Sequence, residues 1–258
     1  MAISEPIVDL KALSKRFGEG PPVLENINLT VHGGELIAVI GPSGCGKSTL
    51  LRLIAGLSPI SSGEIIVDGH APEESSAELA YVFQEPTLLP WATAATNVEL
   101  PLRLRGVHAT ERREVAHRCL QRVRLADRAK AFPRQLSGGQ QMRVSIARAL
   151  SLDPRLVLLD EPFGALDEMT RNHLNEQLLE LRNEFGWTAF FVTHSVTEAV
   201  FLANRVLVMS VNPGRIAHEL AIDLPAERTP ATRATSRFGE LVAELSRLLR
   251  TVEPRPAE

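Results

Sequence analysis

Brief, nearly continuous apolar runs alternate with helical patterns along most of the chain. ELIAVIG (35–41), LAYVFQ (79–84), RLVLLD (155–160), TAFFVTH (188–194) and RVLVMS (205–210) read as buried strands, often ending at a polar residue. KSTLLRLIAGL (47–57), TRNHLNEQLLELRNEF (170–185) and VTEAVFLA (196–203) read as helices. Strands interleaved with helices predict an α/β sheet with parallel strands. Near the N-terminus, PIVDLKALSKRF and NINLTVHGGE predict antiparallel strands joined around GEGPP. From about Glu85 to Leu150 the patterns are helical, as in ATERREVAHRCLQRVRL, and no convincing strand interrupts them. This predicts a helical insertion between two halves of one α/β core. After Leu220 the chain turns Pro-rich and then offers an amphipathic helix, FGELVAELSRLLR (238–250). The last residues, TVEPRPAE, read as disordered.

Composition narrows the picture. The 258 residues suffice for one large domain or a domain with a sub-domain, and 44% hydrophobic with 23% charged residues supply a full core. A net charge of -3, with Lys and Arg spread along the chain, gives no basic stripe of the kind that displaces counterions, so a nucleic-acid partner is not expected. Two cysteines, Cys45 and Cys119, make no disulfide framework, and no Cys/His cluster has metal spacing. No apolar stretch is long enough to cross a bilayer, and the first residues lack the pattern of a signal peptide. The expectation is a soluble, cytoplasmic chain whose membrane role, if any, comes through a partner.

The strongest chemical signal is GPSGCGKST (41–49), which fits G-x-x-x-x-G-K-[ST] between a predicted strand and a predicted helix. Gly41, Gly44 and Gly46, with Pro42, Ser43 and Cys45 between them, let backbone N–H groups close on phosphate oxygens at a helix N-terminus. Lys47 is placed to reach β- and γ-phosphates, Ser48 to sit on Mg²⁺, and Thr49 to help hold the phosphates. Cys45 lies where a helix N-terminus favours a thiolate, which bound ATP would protect. The other reading is a small filler with its thiol turned inward.

Further candidates stand at other strand ends. RLVLLDEP delivers Asp160 to hold Mg²⁺ through water and Glu161 to orient and polarise an attacking water. Paired with Lys47 and Ser48, these acids form a specific set; alone they would read as two solvated carboxylates. His194 in VTHS is placed to touch the γ-phosphate. Gln84 closes a predicted strand, where its amide could contact Mg²⁺ or the attacking water, or stand on the surface. Phe17 could stack on an adenine face or belong to the core. A second phosphate-type turn, LSGGQ (136–140), opens another predicted helix. There Ser137, Gly138, Gly139 and Gln140 offer hydroxyl and N–H donors at a helix start.

GPSGCGKST, Gln84, LSGGQ, LLDEP, ALD and TH stand in the order found in ATP-binding cassette ATPases, which the chain resembles from about residue 7 to 220. The resemblance implies a P-loop NTPase core with a mainly parallel sheet, an N-terminal antiparallel β sub-domain and an inserted helical sub-domain. It implies a nucleotide-binding domain over residues 1–220 and a short C-terminal extension over 221–258. ATP and Mg²⁺ are the expected cofactors. Two such domains pair head to tail, so each ATP lies between the phosphate loop of one and the LSGGQ of the other, and the partner is a second copy or a related subunit. Phe17 takes the place of the adenine-stacking aromatic, often Tyr, and keeps its π-face. Asp167 is implied to link the two active sites, His194 to be the switch histidine and Glu161 the catalytic base. Met142 stands where a polar or basic residue is more usual, beyond the phosphate-contacting turn.

VFQEPTLLPW, EPFGALDEMTR and THSVTEAVFLANRVLVMSVNPGRI resemble the ATPase subunits of bacterial importers for nitrate, sulfonate, taurine and similar solutes. That implies a peripheral place on the cytoplasmic face of the inner membrane, permease partners and, through them, an extracytoplasmic solute-binding protein. Leu88, Leu89 and Trp91 would line a groove for a partner helix, or pack within the insertion. The competing classes are a soluble cassette ATPase of DNA repair or translation, and an exporter subunit. The first usually carries coiled coils, zinc modules or two cassettes; the second usually has its spans fused to the cassette.

Overall fold

The computed structural model describes residues 6–74 and 79–253. The first residues, and residues 254–258 of the tail expected to be disordered, lie outside them; the start of that tail, Thr251 and Val252, is instead helical, continuing the amphipathic pattern before it. β1 (Pro6–Arg16) and β2 (Pro22–His32) pair antiparallel, as their alternating patterns predict. A third strand, β4 (Ser62–Val67), joins the other side of β1. This strand was not anticipated: its first half is exposed and carries Gly63 and Glu64, which blurs the apolar signal.

Among the described residues the main sheet has six strands in the order β5 (Leu79–Val82), β6 (Leu156–Asp160), β7 (Thr188–Val192), β3 (Leu36–Ile40), β8 (Arg205–Met209), β9 (Ile216–Ala221). The first five run parallel. β9 closes the edge antiparallel to β8. Every residue of β3, β6 and β7 is buried, because both faces of the sheet are covered. Along β3 the side chains alternate between two cores. Leu36, Ala38 and Ile40 join the core shared with the helices of the insertion and of the C-terminal end, while Ile37 and Val39 join the core shared with α1 (Lys47–Ile54) and the small sheet.

Between β5 and β6 the described residues hold α2 (Ala94–Leu104), α3 (Ala109–Arg122), short 3₁₀ turns and α4 (Gly138–Leu150), with no strand. α5 (Glu168–Phe185) ends at Gly186, whose φ of 67° supplies the left-handed cap that α-helices favour. α6 (Val196–Leu202) follows β7, and α7 (Ser236–Val252) packs Phe238, Leu241 and Leu245 into the core. The strap before α7 is fastened by Arg228, 9% exposed. Its guanidinium donates to the carbonyls of Val200, Phe201 and Ala203 at the end of α6, at 3.2, 2.8 and 2.9 Å. Burial pulls its pKa down to about 10, yet the three carbonyls at a helix C-terminus keep the cation in place.

Candidate active site

The phosphate loop leaves β3 and opens α1. Gly46, the residue before α1, has a φ of 100°, and a Cβ there would lie 2.6 Å from Leu24 Cδ2. At Gly41 a Cβ would lie 2.6 Å from the Met209 carbonyl oxygen, so β8 itself fixes this glycine. No side chain caps the start of α1, which leaves its N–H groups turned to the loop's interior. Lys47 is buried, and its Nζ donates to the carbonyls of Gly41 at 2.9 Å and Pro42 at 3.1 Å. Ser43, Gly44, Gly46, Lys47, Ser48 and Thr49 line a cleft of about 250 Å³ that also reaches Glu161 and His194.

Three strand ends meet at this cleft, one after β3, one at β6 and one after β7. Ser48 Oγ donates to Asp160 Oδ1 at 2.8 Å, and the Tyr81 hydroxyl donates to Asp160 Oδ2 at 2.9 Å. Burial, with the neighbouring carboxylate, pushes the Tyr81 hydroxyl far above its ordinary range, so it stays a donor. Glu161 has a φ of 50°, uncommon for a side chain of its size, and Glu161 Oε1 lies 2.6 Å from His194 Nε2. Gln84 and His194 each stand two residues past their strands, not at the strand ends the sequence predicts. Gln84 is exposed and lines an adjoining cavity of about 400 Å³ with Glu161, Phe163, Arg171 and His194.

Among the described residues no group of three or more His, Cys, Asp or Glu side chains could hold a metal by itself. The pair Ser48 and Asp160 nevertheless suits Mg²⁺, which takes one or two carboxylates and completes its shell with water and substrate phosphates. Gln84 has no hydrogen bond to either of them in the structure.

The second phosphate-type turn lies in a separate cleft of about 340 Å³, lined by Ser137, Gly139, Gln140 and Arg143 with residues of α5. Ser137 caps α4: its Oγ accepts from Gln140 N at 3.3 Å, and Gln140 Oε1 accepts from Ser137 N at 2.9 Å. A Cβ on Gly138 would touch Leu166, and one on Gly139 would come within 3.0 Å of Thr170. Asp167 caps α5 by accepting from Thr170 N at 3.0 Å, and that bond holds its carboxyl below the usual range. Met142 is buried behind the turn.

Phe17 is 56% exposed, which excludes the core reading, and Lys15 Nζ sits 4.7 Å from its ring centroid. The thiolate reading of Cys45 is corrected. The side chain is 1% exposed and burial pushes its thiol up, so the inward filler is what the chain builds; its backbone remains part of the loop. Leu88 and Leu89 are half-buried, but Trp91 is 74% exposed. Buried Asn97 pins the loop beneath it, bonding Leu89, Ala92 and Thr93. Tyr81, Val23 and Gly214 were missed by sequence reasoning. Val23 lines the phosphate-loop cleft, and Gly214 packs so closely that a Cβ would lie 2.1 Å from the Cys45 carbonyl oxygen. The chain segments carrying them meet the loop only in three dimensions.

A nucleotide-type loop, two acids and a histidine at adjacent parallel strand ends define a P-loop ATPase. The family model described as ABC transporter matches residues 24–164, so the chain belongs to the ABC transporter ATPases and hydrolyses ATP. It is 48% identical over 204 residues to the taurine import ATP-binding protein TauB of Escherichia coli K12, covering 79% of this chain and 80% of that protein. It is 46% identical over 231 residues to an ABC transporter ATP-binding protein of Methanocaldococcus jannaschii, covering 89% and 86%. Among solved structures, a dimeric ATP-binding cassette bound to ADP and Pi matches with a TM-score of 0.75 and 35% identity, over 84% of this chain and all of that one. The cbiO1 protein of Clostridium perfringens, part of an ABC transporter complex, matches with a TM-score of 0.80 and 25% identity, over 97% of this chain and all of that one. Among the described residues no helix is long and apolar enough to cross a membrane.

Proposed function

We propose that this chain is the ATPase subunit of an importer for a small solute of the nitrate, sulfonate or taurine type. The convergence of Lys47, Ser48, Asp160, Glu161 and His194 on one cleft carries the reading. The likeness to a taurine import subunit supports the solute group. In this reading the loop amides and Lys47 hold the β- and γ-phosphates, with Lys47 exchanging its two carbonyl partners for phosphate oxygens. Phe17 offers its exposed face to the adenine. Ser48 and Asp160 would hold Mg²⁺, which would neutralise charge on the phosphates, and Gln84, which lines the adjoining cavity with Glu161 and His194, would offer its amide to the attacking water. Glu161 orients a water and accepts its proton as the water oxygen bonds to the γ-phosphorus. The bond to the bridging oxygen breaks and ADP leaves. His194 positions the γ-phosphate.

The separate cleft at Ser137, Gly138, Gly139 and Gln140 shares no lining residue with the phosphate loop. We read it as half of another molecule's site, so that ATP closes a head-to-tail dimer with two equivalent sites. Asp167, which accepts from the N–H of Thr170 in that cleft, would link the two sites. The exposed Trp91 and the loop pinned by Asn97 suit a permease helix, and the chain then works peripherally on the cytoplasmic face of the inner membrane.

The test is Glu161→Gln, tagged and expressed in the host. ATP binding should persist while turnover falls by roughly 10²–10⁴, the usual worth of general-base assistance. The variant should accumulate as an ATP-bound dimer and bring a polytopic permease out of the membrane fraction. Near-normal hydrolysis removes the Glu161 role; recovery with DNA or ribosomes removes the importer role.

A further inference from the structure

Glu198 is a buried carboxylate that the reaction above does not use. It is 5% exposed, on the first turn of α6. Its position suggests an ordinary capping box, in which an acid at the third helical residue turns back to the backbone N–H of the cap. Half of that pattern is present: Ser195 Oγ accepts from Glu198 N at 3.3 Å. The other half is replaced. Ser195 N donates instead to Thr193 Oγ1 at 3.0 Å, and the Thr193 hydroxyl donates in a short bond to Glu198 Oε2. The second carboxylate oxygen, Oε1, accepts from Asn175 Nδ2 on α5 at 3.2 Å. Burying a carboxylate is costly, and hydrogen bonds from Thr193 and Asn175 offset that cost here.

What they fix is the peptide on either side of His194. Thr193 N donates to the Val39 carbonyl at 3.2 Å, tying the loop to the strand that leads into the phosphate loop. The Val192 carbonyl accepts from Glu161 N at 3.1 Å. The Thr193 hydroxyl has one proton and uses it on Glu198, so its lone pair is aimed at Ser195 N. The residues before and after His194 are thereby locked through a single side chain. His194 itself stays half exposed, with Nε2 on Glu161.

We infer that Thr193 and Glu198 are positioning residues for His194, and that Asn175 ties this arrangement to α5, the helix capped by Asp167. The inference rests on the reading of His194 as the group that positions the γ-phosphate. It is tested with the full chain by ATP turnover and by binding of a fluorescent ATP analogue, using Thr193→Val, Thr193→Ser, His194→Ala and the double variant Thr193→Val/His194→Ala. Thr193→Val keeps the shape and removes the hydroxyl. It should lower kcat by roughly 10²-fold, the scale of an error of about 1 Å in a reacting geometry, with nucleotide affinity unchanged. Thr193→Ser should restore most of the loss. In the His194→Ala background, Thr193→Val should add less than about twofold, because the two act as one unit. Turnover of Thr193→Val within about twofold of the parent, or losses that multiply in the double variant, would overturn the positioning role while leaving His194 intact. Parental turnover in His194→Ala would overturn both.

Discussion

The two phosphate-type turns differ in how they treat the helix that follows. At Lys47 the helix starts from a left-handed glycine with no side-chain cap, so its N–H groups are left to a ligand. At Gly138 the helix is closed by its own Ser137 and Gln140, and two donors are satisfied within the turn. Both have Gly, Ser and a helix start, and both read alike as short motifs. One is a finished cradle beside the acids and the histidine. The other is a turn that caps itself, in a separate cleft away from the acids and the histidine. What each turn does with its helix N–H donors, more than composition, separates the two.

That contrast can be broken from either side. Lys47→Ala should have the largest effect, lowering turnover by roughly 10²–10³-fold and weakening nucleotide binding to the single chain; calorimetry and steady-state hydrolysis check it. Ser137→Arg should leave nucleotide affinity of the single chain as it is and abolish ATP-dependent pairing, seen by light scattering. A dimer that still forms with ATP would contradict the division of labour. Gln140→Ala removes one arm of the capping box and should cost about 1 kcal/mol of stability, measured by denaturant unfolding. The smallest effect concerns Cys45. Its buried thiol is held in the neutral form at pH 7–8, so maleimide labelling should be slow and no slower with Mg-ATP. Fast labelling that ATP suppresses would restore the thiolate reading.

Legibility in the sequence follows burial. β3, β6 and β7 are covered on both faces and spell continuous apolar runs, which is why they were readable. β9 alternates half-buried and exposed residues and carries His218 and Glu219, so nothing in IAHELA announces a strand. α1 stops at Ile54, three residues short of the predicted end, because Gly56 turns left-handed at φ 67°. The residues of the two turns and the acids were visible as motifs with fixed spacing. Tyr81 and Glu198 were not. One looks like an ordinary strand aromatic and the other like an exposed first-turn acid, and only the fold brings them to Asp160 and Thr193.

The Arg228 clamp has a consequence for how the molecule opens. Three carbonyls at the end of α6 lose their partner together when the strap lifts, and the guanidinium keeps only its bond to the Pro225 carbonyl within the strap. Strap and α6 should therefore exchange their amide hydrogens as a single cooperative unit, the helix that begins beside His194 inheriting its protection from a residue thirty-four positions later, near the end of the chain.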